Sequence, residues 1–554
     1  MTFDSGREVG KNAALISVIT VGARLAGFGR TLVFVWAVGL LGLGTAYQTS
    51  NQIPNIIYEI VAGGAMAALV VPLLAGPLTR KDPREVNRIA SALLTWALTL
   101  LLPIGLLLAL LADPLMRFMM GTSEPAVVEA ATRMLVIFAP QIPLYGIAIV
   151  LTGVLQAHRR FAWPALAPLL SSLTMIAVYI AYGLMTGRQD QAAEVTFGEL
   201  FLLSAGTTFG VLVLGACLFA PVAKIGVTLR PTWKLEASVA AHVKSLAIAG
   251  ALVLGAQQVC QALMLRLAND AGDIEPGSAA ILTVSQMFFL LPWGVLAVPL
   301  ATAAYPNLAQ AYELGKMSQY RQQLAGLGRA VLILSGLGVV ALTALSEPIG
   351  VVIDQTQPNS DNPDLISNTL FFLGFGLVGF SLFALYSRAL YAVGKAKEAT
   401  IATCSGWGVG AVSSIAMSYV MPIEERTTAL AIGWSIGMVA MGVLLTIAIG
   451  RHTGSESLKG YARAFAALVV ASCVAIVVGR SVISWWGVSD TLTSALLQGL
   501  VVGIVVAVAY LLVASATSGQ NPLAAIRKMK RTKPTSTTDS SMRANAGSTG
   551  EDGD

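Results

Sequence analysis

Runs of about 20 apolar residues, separated by short polar breaks, recur along nearly the whole chain. Each is long enough to cross a hydrocarbon core of roughly 30 Å as a helix. The runs are continuous rather than alternating, and in lipid only helices or closed barrels satisfy the backbone. The pattern therefore predicts an all-α polytopic membrane protein. Fourteen spans are expected, at 12–41, 46–77, 88–112, 128–156, 162–186, 198–221, 238–268, 278–308, 326–353, 365–394, 398–421, 427–450, 460–484 and 491–516. The first is too long for a cleaved signal peptide and is interrupted by Arg24, so it is expected to remain as helix 1.

The polar breaks alternate in charge. One set is basic, with Arg7 and Lys11, Arg80, Lys81, Arg84 and Arg88, Arg159 and Arg160, Lys224 to Lys244, Lys316 to Arg329, Lys395 and Lys397, and Arg451 to Arg463. The other is acidic or nearly free of Lys and Arg, with Asp113 and Glu124, Asp190 and Glu194, Asp270, Asp273 and Glu275, Asp354 to Asp364, Glu424 and Glu425, and Asp490. Positive loops stay in the cytoplasm. Both termini are therefore expected there, with an even number of spans. This topological bias and the tail account for most of the net charge of +6, so it does not imply nucleic-acid binding. The tail, 517–554, carries RKMKRTK (527–533) and is otherwise Ser/Thr-rich, a composition that predicts a disordered cytoplasmic segment lying near anionic lipid.

Two patterns recur at an offset of about 235 residues, which is six spans: VVPLLAG (70–76) with AYPNLAQ (304–310), and LQAHRRFAWPAL (155–166) with LYAVGKAKEATI (390–401). An even offset predicts two parallel six-helix lobes related by a pseudo-two-fold along the membrane normal, with substrate between them. The expected organisation is an N-lobe over 1–222, a C-lobe over 223–452, two added helices over 453–516 and the tail. Several spans carry helix breakers: Pro54, Gly63 and Gly64 in the second, Pro140 and Pro143 in the fourth, and Pro292 and Gly294 in the eighth. Together they are candidate hinges for a cavity that opens and closes.

Candidate chemistry is sparse. Arg24 and Arg30 lie in the first apolar span, and Arg266 and Arg388 lie in spans seven and ten. An arginine keeps its proton, and at mid-bilayer it costs at least about 2.5–3.5 kcal/mol, so Arg24 must face protein, water or an anion. Arg24 and Arg30 are about 120° apart around an ideal helix and need not share one cavity. Glu59 is the one clear carboxylate for an ion pair with Arg24, the alternative to an anion. The four cysteines fall singly in different spans, and no Cys/His spacing supports a metal site or disulfide framework. No paired carboxylates, nucleophile with base, or Walker-type glycine loop occurs. A transporter without cofactor or metal is expected, not an enzyme.

At ARLAGFGRTLVF (23–34), NQIPNIIYEIVAGGAMAALVVPLLA (51–75), LQAHRRFAWPALAPLLSSL (155–173), LPWGVLAVPLATAAYPNLAQ (291–310) and LYSRALYAVGKAKEAT (385–400), the chain resembles the MurJ/MviN family of lipid II flippases, within the multidrug/oligosaccharidyl-lipid/polysaccharide exporter superfamily. The resemblance implies two six-helix lobes around a cationic cavity, and a lipid-facing groove formed by helices 13 and 14. It further implies alternating access in the bacterial plasma membrane, with lipid II as substrate and membrane lipids and cell-wall synthesis or division proteins as partners. The family's essential helix 1 arginine falls on Arg24 and its second on Arg30; the Pro-Asn of helix 2 falls on Pro54 and Asn55. Elsewhere the chain departs: Thr45 replaces an aspartate, Tyr58 (with Glu59 beside it) an arginine, Met287 another arginine, and Leu290 an acidic residue. Arg266 and Arg388 are candidate replacements. The resemblance thus implies substrate-binding roles for Arg24, Arg30, Arg266, Arg388, Asn55 and Glu59. Spans 7, 11 and 12 lack the interior carboxylates a sodium site needs. Exporters of another polyprenyl-linked glycan, or of drugs and cations, are the alternatives.

Overall fold

The computed structural model describes residues 5–61, 67–121, 123–234, 237–272, 274–358, 363–487 and 491–518. The hinge candidates Gly63 and Gly64, and the tail beyond 518, lie outside these residues. The first series of helices comprises α1 (Ser5–Val38), α2 (Gly42–Glu59), α3 (Ala67–Thr79), α4 (Pro83–Leu110), α5 (Ala112–Met120), α6 (Pro125–Phe138), α7 (Gln141–Ala157), α8 (Ala162–Thr186) and α9 (Phe197–Lys224). The second comprises α10 (Ala237–Asn269), α11 (Ser278–Pro292), α12 (Val298–Glu313), α13 (Met317–Ala344), α14 (Ser346–Thr356), α15 (Pro363–Ala392), α16 (Ala396–Val420) and α17 (Arg426–Thr453). Two more follow, α18 (Tyr461–Trp486) and α19 (Leu492–Ser518).

Among the described residues, 11 helical segments are long and apolar enough to cross a membrane. The α2–α3 pair, α10 and α16 occupy the three remaining expected spans, and they carry polar and small residues such as Gln258 and Gln261 in α10 or Gly406 and Gly410 in α16. With them the series reaches fourteen.

The first series packs on itself, α1 on α8, α8 on α9, α2 on α6, and α7 on α4 and α9. The second does likewise, α16 and α15 on α17, α13 on α15, and α10 on α16. The α18–α19 pair docks on α13, where Tyr510 donates a hydrogen bond to the Ile333 carbonyl at 2.7 Å and fills the space over Gly336. The two series repeat each other's irregularities. The second span of each widens into a π turn, at 60–61 and at 293–297, and the third span of each is followed by a short helix, α5 or α14. These features fall at the six-span offset of the sequence repeat.

The prolines act differently from one another. Pro54 is buried inside an unbroken α2. Pro140 and Pro143 coincide with the turn that parts α6 from α7, and the buried Ala139 carbonyl, which accepts from the Ile142 N–H, lies against Gly105 of α4. Pro292 closes α11 and leads into the π turn, as expected where a missing N–H interrupts the ladder.

The two series meet through side chains at the end that carries the acidic loops. Asn269 donates to Thr49 Oγ1 at 3.1 Å and to the Met119 carbonyl at 3.0 Å. Arg188 donates to the Trp36 carbonyl at 2.8 Å and to the Thr356 carbonyl. Gly277, at φ +85°, brings its backbone against the Leu40 carbonyl. Glu275, only 3% exposed, accepts from the Arg426 N–H at 2.6 Å and from the Thr427 hydroxyl at 2.6 Å, at the N-terminus of α17.

Burial raises the Glu275 carboxyl from 4.5 to about 7. An acid whose pKa is higher folded than unfolded stabilises the fold fully below its unfolded value, and that contribution is lost as pH rises through the folded value. The shift corresponds to about 3 kcal/mol. Thermal unfolding is therefore expected to show stability falling between about pH 4.5 and 7 and levelling off above that. Glu275→Gln flattens that slope; an unchanged slope in the variant would assign it to another group.

Candidate functional site

The seam between the series is built on one face of α1. Positions 24, 28, 31 and 35 recur at helical spacing and meet α11 and the π turn that follows it. Val35 is buried in a cluster with Ala280, Ile281 and Val284. The Thr31 hydroxyl donates to Met287 Sδ at 2.9 Å, and Phe28 meets Phe288 edge to face at 5.0 Å. The last rung is Arg24, whose Nη1 occupies the space over Gly294. Because α1 and α11 run antiparallel, the seam passes from the acidic end inward and stops at this guanidinium.

Arg24 is exposed and has no hydrogen-bond or ion-pair partner among the described residues. The neighbouring Val21 and Leu25 are 57% and 62% exposed. A guanidinium presents five donors and no acceptor; here they are unfilled, beside the junction of two helix bundles. Such a group takes an anion with paired oxygens.

The ion pair with Glu59 does not form. Glu59 instead accepts from Gln258 Nε2 at 2.9 Å, a bond from α2 to α10 that also crosses between the series. One turn earlier, Asn55 Oδ1 accepts from the Tyr145 hydroxyl at 2.8 Å, and Tyr145 lies against Tyr58 with ring centroids at 4.3 Å. Gln261 and Gln286 bond each other at 2.7 and 3.2 Å. Gln258 and Gln261 therefore make the interhelical bonds expected of glutamines in spans.

The other arginines are not gathered around Arg24. Arg30 turns into the first series and donates to Met175 Sδ at 3.1 Å. Arg388 donates to the Ala384 carbonyl one turn back on α15, at 2.6 Å. Arg266 pairs with Asp270 at the acidic end, 5.5 Å from the Phe118 ring centroid and beside Gly121. In this conformation Arg24 is the one of the four with all its donors open. Linear sequence gave no sign of the Gly294 contact or of the Tyr58–Tyr145 pair, since both depend on which helices become neighbours.

The family model described as lipid II flippase MurJ matches residues 37–500, most of the chain. The chain belongs to the MurJ family of lipid II flippases. The match begins after Arg24 and Arg30, so the α1 arginines rest on the geometry above. The chain is 24% identical over 393 residues to the probable lipid II flippase MurJ of Rhizobium meliloti (strain 1021), covering 69% of this chain and 70% of that one. It is 23% identical over 383 residues to the lipid II flippase MurJ of Burkholderia cenocepacia, covering 68% and 72%. Its fold is similar to a solved lipid II flippase MurJ in an inward closed conformation, with TM-score 0.72 and 19% identity over 91% of this chain and 98% of that one. It is also similar to an inward-facing multidrug resistance transporter of the MATE family, with TM-score 0.64 and 14% identity over 80% and 99%. Membership of the MurJ family makes the chain a multi-pass membrane transporter rather than an enzyme.

Proposed function

We propose that this chain translocates lipid II between the leaflets of a bacterial plasma membrane by alternating access, with Arg24 receiving the pyrophosphate. The observation that carries the reading is the open guanidinium at the inner end of the inter-series seam. Pyrophosphate offers the paired anionic oxygens that fill such a fork. Asn55 and Glu59 on α2, one tied to Tyr145 and the other to Gln258, are assigned to the substrate path as polar groups at the junction of the two series. Arg30, Arg266 and Arg388 are secondary contributors, reachable after rearrangement. The division into two lobes with a cavity between them, and hinges at Pro140, Pro143 and Pro292, completes the reading.

The basic loops support cytoplasmic termini and an acidic end that faces outside. Closure at the acidic end then describes a state in which the head group enters from within. The cell interior is negative, so moving an anion outward releases about 2.3 kcal/mol per charge per 100 mV. Two phosphate charges supply enough to bias the cycle without ATP. The test is depletion of this protein in its host, followed by counting lipid II on each face of the membrane. Outer-leaflet lipid II is expected to fall while the inner pool accumulates. An unchanged outer pool overturns the reading.

A further inference from the structure

We infer that Gly294 is a positioning residue for Arg24: the side-chain-free position in the π turn is the seat on which the guanidinium rests. The inference builds on the reading of Arg24 as an anion site and adds the feature that aims it.

Three observations carry it. First, Arg24 Nη1 occupies the place where any Cβ at 294 would sit, while Arg24 Cζ would stand 3.4 Å from that Cβ, an ordinary contact distance. The conflict lies in the terminal nitrogen alone. Second, the seat is held from behind. The Trp293 indole donates to the Phe380 carbonyl of α15 at 3.1 Å, its ring lies 4.7 Å from the Phe380 ring, and Pro292 packs against Gly338 of α13. These contacts tie the π turn to the second series and leave little freedom to yield. Third, Gly294 is buried although Arg24 beside it is exposed. The guanidinium covers the glycine on one face and keeps the rest of its donors towards open space.

The terminal nitrogen is what separates arginine from lysine. A lysine ammonium reaches about as far as arginine Cζ, so at position 24 it would clear a Cβ at 294. The seat therefore selects for glycine only while residue 24 is arginine. A hinge role for Gly294, or a packing role in α11, would make the same demand whatever stands at 24.

The test is a double-mutant cycle on full-length protein in lipid nanodiscs, with a polyprenyl pyrophosphate as probe and the uncharged polyprenol as control. Gly294→Ala is expected to weaken pyrophosphate-lipid binding about tenfold relative to the parent, the loss of one charge-assisted bond, with polyprenol binding unchanged. In the Arg24→Lys background the same substitution is expected to change binding less than about twofold. That pair also shows whether alanine at 294 folds. A tenfold loss that persists in the Arg24→Lys background, or no loss in the Arg24 background, overturns the seat. If Arg24→Ala binds the pyrophosphate lipid as tightly as the parent, the anion-site reading itself fails, and the seat with it.

Discussion

Arg24→Ala is expected to abolish transport while leaving the protein inserted and folded. In most arginines buried between helices, truncation strands a partner and confounds the result. Arg24 has no such partner among the described residues, so its removal breaks no hydrogen bond or ion pair. It also relieves the cost of holding an ionised group near the apolar phase. Two charge-assisted bonds to a pyrophosphate, about 1.5–3 kcal/mol each, correspond to a loss of binding on the order of 100-fold or more. Cells depleted of the native protein and supplied with Arg24→Ala should therefore fail to grow, with normal amounts of the variant in the membrane. Normal growth would refute the role. Arg24→Lys should fall between, since an ammonium keeps the charge but not the planar fork.

Gly437→Val is expected to abolish accumulation of folded protein altogether. A Cβ at 437 would lie 2.6 Å from the Gly410 backbone nitrogen and 2.9 Å from the Gly406 carbonyl oxygen. Backbone cannot rotate aside as a side chain can, so α16 and α17 must separate. The same closeness recurs at Gly379 with Gly442 and at Gly433 with Ser414, and it binds α15, α16 and α17 into one block. Between helices in a membrane, van der Waals contact of this kind is the main attraction, and small residues permit it. Forcing a bulky residue into a packed interface costs about 1–3 kcal/mol or more, and here the loss extends to contacts along both helices. Size-exclusion profiles in detergent should show no monodisperse peak for Gly437→Val, and Gly437→Ala should lower the unfolding temperature by several degrees. A valine variant with parental stability would mean that α16 and α17 do not meet at this glycine.

Much of the architecture is written locally. Helix in lipid is dictated by backbone hydrogen bonding, so a run of apolar residues near 20 long is almost sufficient information. The spans holding α2 and α16 are legible in the same way, although both carry more polar and small residues than most and meet several neighbouring helices. The repeat was legible through two short motifs, and the matching π turns and the matching short helices α5 and α14 extend it.

The site was only half legible. Arg24 stood out because an arginine in an apolar run has a cost that local sequence can reveal. Its proposed partner did not follow. Glu59 seemed the natural counter-charge, yet it bonds Gln258, because α10 rather than α1 lies beside it. Glu275 reads as one more solvated loop charge in the acidic series. The fold buries it under the N-terminus of α17, where orphan N–H groups need an acceptor. Arg266 and Arg388 share a residue type and a place in apolar spans with Arg24, but the fold gives one to Asp270 and the other to its own helix backbone.

By itself, then, the sequence determined a helical membrane protein of about fourteen spans in two related series, and it marked Arg24 as a group that must answer for its charge. These follow from periodicity, length and desolvation, which act within a single segment. Only the tertiary structure decided that Arg24 is open while the other arginines are engaged, that Gly294 lies beneath it, and that Glu59 and Glu275 are committed elsewhere. Those outcomes depend on which helix faces meet across hundreds of residues. A helix carries its own hydrogen bonds but leaves its neighbours to be chosen by packing.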